Sequence, residues 1–246
     1  MDTKTVNCIQ KEFEKLNINI HAFSHINVIL IVIAALVACA GLITNNYQSI
    51  IASKIIGLAL IPFLSLSIII LSGNISRITN SLAKCFFFVA LCLGIGVIIG
   101  YIAAAWEFIT EPTEEMQTRF NFKYQTILLE SIMSFIIGIG IYYSIIKTSI
   151  VAFIGLILVV SIVPAICNAG LFYGMSLYYS WFGSNNLIPN DSVRDVFLEN
   201  GNRSLVLFLV DIFWVFIGFL CAYLFNCIPI SEIFKTNTKF ITKKFI

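Results

Sequence analysis

The chain has 246 residues, of which 59% are hydrophobic and 11% charged, against roughly half and a quarter in soluble domains. A water-soluble core cannot absorb that excess, and the apolar residues fall in blocks of 19 or more, long enough to cross a bilayer. Fifteen basic and 13 acidic residues leave a net charge of +2, with no basic stripe able to track a nucleic-acid backbone, so the lipid bilayer is the expected partner and nucleic acid is not.

Residues 1–25 are polar and mixed in charge and lack the short apolar run and cleavage site of a signal peptide, so they are expected to be retained. Ile9, Phe13, Leu16 and Ile20 recur at helical steps beside Lys11 and Lys15, the pattern of an amphipathic helix on a membrane surface. His21 and His25 stand four apart but have no third ligand, and none of Cys8, Cys39, Cys85, Cys92, Cys167, Cys221 and Cys227 forms a CxxC pair. No metal site is expected, and the thiols are expected to pack as small apolar groups.

The fold class expected is all-α, a polytopic transmembrane bundle with spans at 26–45, 51–72, 84–106, 125–146, 149–173 and 204–228. Lipid cannot satisfy open backbone groups, which excludes isolated strands. The membrane domain is then 26–228, with halves 26–106 and 125–228, and a basic tail at 229–246. With the N-terminus inside, Lys4, Lys11, Lys15, Arg77, Lys84, Lys147, Lys235, Lys239, Lys243 and Lys244 are cytoplasmic, while Lys54, Arg119, Lys123, Arg194 and Arg203 are outside or at the outer edge. That bias, with an even number of spans, places both termini in the cytoplasm of a bacterial inner (plasma) membrane. Residues 174–203 are expected to form a long outer loop whose Tyr173, Tyr178, Tyr179, Trp181 and Phe182 either anchor at the headgroups or lie over a pore as a lid.

Two segments one hundred residues apart resemble each other, Ser49 to Pro62 and Ser149 to Pro164; each opens with Ser-Ile and ends on a proline. Their spans would run in opposite senses, so three spans plus three would make an inverted repeat of the kind found in secondary transporters. Pro62 and Pro164 then mark either interrupted helices at a functional centre or packing kinks. Glu130 and Asp211 are placed roughly 8–10 Å below the outer surface by a rise of about 1.5 Å per residue, with Lys54 entering from the same side and Asn168 near the outer end of span five. An acid at a span centre costs about 3 kcal/mol unless protonated, hydrated or paired. Lys54, Glu130 and Asp211 therefore either line a vestibule that binds a cation, a proton or a charged solute, or form interhelical salt bridges. Glu115 and Arg119, four apart in the outer loop, form an ion pair or a gate. Gly96 and Gly100 on span three, with Gly94, admit a homo-oligomer.

Gly41-Leu42-Ile43-Thr44-Asn45, then Ile50 to Ile56 ending at Pro62, the run Pro112 to Arg119 containing Glu115, Met116 and Arg119, and Gly155 to Pro164 together resemble the uncharacterised hydrophobic domain family, domain of unknown function 389, over about residues 28–228. Leu58, Ala165, Lys54 and Asp211 depart from the family's Pro, Pro, Met and Asn at those points. The resemblance implies a membrane domain and no established activity. No nucleophile, base and acid are spaced for catalysis and no cofactor motif is present, so the chain is expected not to be an enzyme. A transporter or channel-like protein for a small solute or ion is the leading reading, with a scaffold, immunity-type or regulatory membrane protein as the alternative.

Overall fold

In the computed structural model the described residues are 25–57, 62–63, 66–67, 69–70, 75–108, 111–121, 124–146, 162–182 and 190–227. The expected surface helix at the N-terminus, the first half of the fifth span and the basic tail lie outside them. Among the described residues the helices are α1 (His25–Ile43), α2 (Tyr47–Gly57), α3 (Ile75–Ala105), α4 (Glu114–Gln117), α5 (Tyr124–Ile146), α6 (Ile162–Phe182) and α7 (Asn190–Cys227), and there is no strand. Ile78–Ala105, Ile127–Ser144 and Val193–Phe225 are each long and apolar enough to cross a membrane, and Val28–Ile43 is a shorter apolar helix. Their outward faces carry large apolar side chains such as Ile29, Phe86, Ile98, Leu128, Leu129 and Phe213, as expected of surfaces that meet lipid. This is a membrane protein.

Helix α6 sits at the centre, packed by α1, α2, α3 and α7, and α5 packs on the far side of α7. Every residue from Ile162 to Phe172 is buried. Backbones approach closely at two glycine seams. On the first, Gly96 and Gly100 of α3 meet Gly170 and Gly174 of α6: a Cβ on Gly96 would lie 2.8 Å from the Cys167 carbonyl oxygen, and one on Gly174 would lie 2.6 Å from the Tyr101 nitrogen. On the second, Gly138 of α5 faces Val215 and Phe219 of α7, while Gly218 faces Phe135. The Gly96–Gly100 pair is thus spent inside the chain, which corrects its assignment to an oligomer contact, and a Cβ on Gly94 would meet nothing within 4 Å.

These contacts fix helix directions. Gly96 lies beside Gly170 and Gly100 beside Gly174, so α3 and α6 are parallel. Ser134 meets Asp211 and Tyr142 meets Phe219 and Tyr223, so α5 and α7 are parallel as well. Between α6 and α7 the order reverses, because Asn168 pairs with Ser204 and Ser176 with Arg194. α1, α3 and α6 accordingly run toward the end that carries α4, and α2, α5 and α7 run away from it.

Several element bounds differ from expectation. Helix α3 starts at Ile75 rather than near 84, and α7 starts at Asn190 rather than near 204, so most of the expected loop 174–203 is helical at both ends. Aromatic packing explains the extension: Tyr179 stacks on Phe197 at 5.6 Å and Phe197 on Phe172 at 6.0 Å, while Tyr178 packs edge-on against Tyr101. These rings brace α3, α6 and α7, and of that group Trp181 stays exposed. Pro164, expected past the middle of a span, is buried in α6 close to the residues that lie outside the described ones. Pro62 precedes Phe63, whose ring packs edge-on against Phe88 of α3 and Phe208 of α7.

Candidate functional site

The segment from Glu111 to Asn121 folds inward against the bundle. Thr113 caps α4, its hydroxyl donating to the Leu42 carbonyl at 2.6 Å and accepting from the Met116 N–H at 3.3 Å. Asn45, at a left-handed φ of 53° that asparagine tolerates better than most residues, accepts from the Glu115 N–H at 3.0 Å. Gly41 allows this turn to close, since a Cβ there would lie 2.9 Å from Ile50. Met116 is fully buried, and Phe120 packs edge-on against Phe172 at 5.2 Å.

The buried face of this segment meets the polar residues singled out from the sequence. Asn168 of α6 donates from Nδ2 to the Met116 carbonyl at 3.1 Å and to Ser204 Oγ at 2.9 Å, while Ser204 donates on to the Asn200 carbonyl. Arg119 is 6% exposed; its guanidinium donates to Glu115 Oε2 at 3.1 Å, to the Glu115 carbonyl and to Thr118 Oγ1. Burial lowers the Arg119 guanidinium from its ordinary value, and the hydrogen bond and charge of Glu115 act against that.

One layer deeper, Asp211 of α7 is buried and accepts from Ser134 Oγ of α5 at 2.8 Å. Glu130 stands one turn before Ser134 on α5, within electrostatic reach of Asp211 and Arg119. Lys54 of α2 is buried within electrostatic reach of Arg119, Glu115 and Asp211. The structure thus brings Lys54, Glu115, Arg119, Glu130 and Asp211 into one electrostatically connected group, with Asn168 joined to it through the Met116–Arg119 turn. Pro62 is half-buried beside Phe63, and Pro164 is buried in α6 four residues before Asn168. Ser134, Ser204 and Asn200 were not singled out from the sequence, although the four-residue spacings Glu130 to Ser134 and Asn200 to Ser204 place each pair on one helical face.

Among the described residues three buried side-chain atoms have no hydrogen-bond partner: Arg119 Nε, Glu130 Oε2 and Asn168 Oδ1. All three belong to this group. The thiols of Cys39, Cys92 and Cys167 meet where α1, α3 and α6 cross, with Cys167 Sγ against the carbonyls of Ala35 and Cys92 at 3.8 and 3.9 Å. No set of three His, Cys, Asp or Glu side chains able to hold a metal ion occurs among the described residues.

Lys54→Met removes a positive charge within electrostatic reach of Asp211 and is expected to destabilise the bundle. Adding Asp211→Asn should return most of that loss. Unfolding of the two single variants and the double variant in detergent measures the coupling; simple addition of the two losses would show that the residues do not act as a pair.

Residues 55–231, well over half of the chain, match the family described as Domain of unknown function (DUF389). The chain belongs to the DUF389 family. No curated protein and no solved structure matches it. The DUF389 match begins at residue 55 rather than near 28, so α1 and Lys54 lie before it, while Glu115, Arg119, Glu130, Asn168 and Asp211 lie within it.

Proposed function

We propose that this DUF389 protein is a six-span transporter or channel-like protein that passes a small solute or ion through the Lys54, Glu115, Arg119, Glu130, Asn168, Asp211 group. One observation carries the reading: the three buried polar atoms left without partners all lie in that group. A bundle selected only for packing satisfies its buried polar atoms or replaces them, whereas a pathway leaves some for water or a passing ligand.

The helix directions support a 3+3 inverted repeat. α1, α2 and α3 run toward, away from and toward the α4 end, and α5, α6 and α7 run away, toward and away. The Lys and Arg distribution supports the α4 end as the outer one, both termini as cytoplasmic and the bacterial inner membrane as the location. The proposal includes a non-enzymatic role for this group, in which its ion pairs and amides hold a passing ligand. The two glycine seams favour a second reading, a dry scaffold or regulatory bundle.

Single cysteines at Pro62, Phe63, Pro164 and Ile166 in a cysteine-free background, probed with an aqueous thiol reagent from each side, separate the two. Labelling at the proline level is the expected result. Protection at all four sites, with the α4 segment labelling normally, would rule for the scaffold.

A further inference from the structure

The partners of each charge narrow the permeating species, an inference that rests on the transport reading above. Arg119 is paired with Glu115 at 3.1 Å. Asp211 holds the Ser134 hydroxyl and has Lys54 within electrostatic reach. Glu130 is left facing two charged groups, Asp211 from α7 and Arg119 from the α4 segment. Its Oε2 is buried without a partner, and so is the Arg119 Nε–H, on a side chain more than nine-tenths buried. A buried acceptor and a buried donor without partners, on two side chains that act on each other electrostatically, suit water, which accepts from Nε–H and donates to Oε2.

Charge arithmetic points the same way. Among the described residues of this group, two bases, Lys54 and Arg119, stand against three acids, Glu115, Glu130 and Asp211, an excess of one negative charge when all are ionised. In a low-dielectric interior such a charge calls for a bound cation. A hard metal cation needs about six oxygen ligands. The described residues gather no three metal-binding side chains, and Arg119 opposes a second positive centre beside it. A proton needs only one lone pair.

We infer that Glu130 is a proton-binding residue of the pathway. A hydronium ion arriving from the α4 end gives its proton to Glu130 Oε2, which yields a neutral carboxylic acid and leaves a water on the Arg119 Nε–H; the reverse transfer to water on the other side releases the proton. Asp211, already holding the Ser134 hydroxyl, stays as the neighbouring charge that the neutral acid no longer repels.

The test uses the full chain in liposomes containing a pH-sensitive dye, under a potassium diffusion potential. Wild-type protein should acidify the lumen, Glu130→Gln should slow this by about a hundredfold, the scale of a positioned proton-transfer group, and Glu130→Asp should keep part of the rate. Infrared difference spectra of the same proteins should show a carboxylic acid carbonyl band that titrates in wild type, shifts in Glu130→Asp and is absent in Glu130→Gln. A merely structural Glu130 would move the unfolding temperature and leave no such band. Wild-type rates in Glu130→Gln overturn the assignment, as does flux that follows a sodium gradient without a pH change. Thiol labelling at Pro62 and Pro164 without proton flux removes the proton assignment and leaves the transport reading standing, whereas protection without flux removes both.

Discussion

Gly100→Ala and Gly174→Ala are each expected to destabilise the bundle by about 1–3 kcal/mol or more, the range for overpacking a tight interface. The added methyl has nowhere to go. At Gly100 it would collide with the Leu171 carbonyl and lie 2.7 Å from the Leu171 Cα, and at Gly174 it would collide with the Val97 carbonyl. Backbone atoms cannot swing aside as a flexible side chain can, so relief requires separating α3 from α6 along their length. Gly94→Ala on the same helix meets nothing within 4 Å, and should be neutral or gain up to about 1 kcal/mol in helix propensity. Unfolding of the three variants in one detergent checks this, and equal stability of Gly100→Ala and Gly94→Ala would show that the seam is looser than described.

Asn168→Ala should release the α4 segment. It removes the hydrogen bonds to Met116 and Ser204, while the Met116 carbonyl keeps the Arg119 N–H at 3.1 Å, a loss of about 1–3 kcal/mol for the two bonds together. Because about 1.4 kcal/mol corresponds to a factor of ten, amide exchange in residues 111–121 should accelerate about tenfold to a hundredfold. Exchange across α3 should change far less, since its glycine seam is untouched. Unchanged exchange in 111–121 would mean that the Thr113 and Asn45 contacts alone hold the segment.

The helical character and the membrane setting were legible because apolar blocks of span length leave few alternatives. The polar group was legible for a related reason. Lys54, Glu130 and Asp211 are conspicuous in apolar runs, and counting 1.5 Å per residue from one surface puts them at similar depth. Other features were hidden by the same apolar background. Gly170 and Gly174 repeat the spacing of Gly96 and Gly100, yet only contact between α3 and α6 reveals that one pair fits the other. Ser134 reads as an ordinary span residue until Asp211 is seen opposite it. The helical ends of 174–203 look like loop in the sequence because charges and amides crowd 185–203, and hydropathy does not register the ring stacking of Tyr179, Phe197 and Phe172. The inward fold of Glu111 to Asn121 depends on Asn45 and Leu42, some seventy residues earlier, a separation that no local pattern reports.

The burial of α6 bears on how the protein is made. A helix leaving the ribosome is tested against lipid one segment at a time, and α6 carries Pro164, Asn168 and two glycines along a surface that in the finished bundle is enclosed from Ile162 to Phe172. α3 precedes it in the chain, whereas α7, which supplies Ser204 to Asn168, follows it. Between those two moments the polar face of α6 has only its earlier neighbours for shelter, and the ready-made groove of Gly96 and Gly100 is the surface its backbone fits. Synthesis order and the α3–α6 seam thus address one problem together: a helix poorly suited to lipid meets protein before α7 exists.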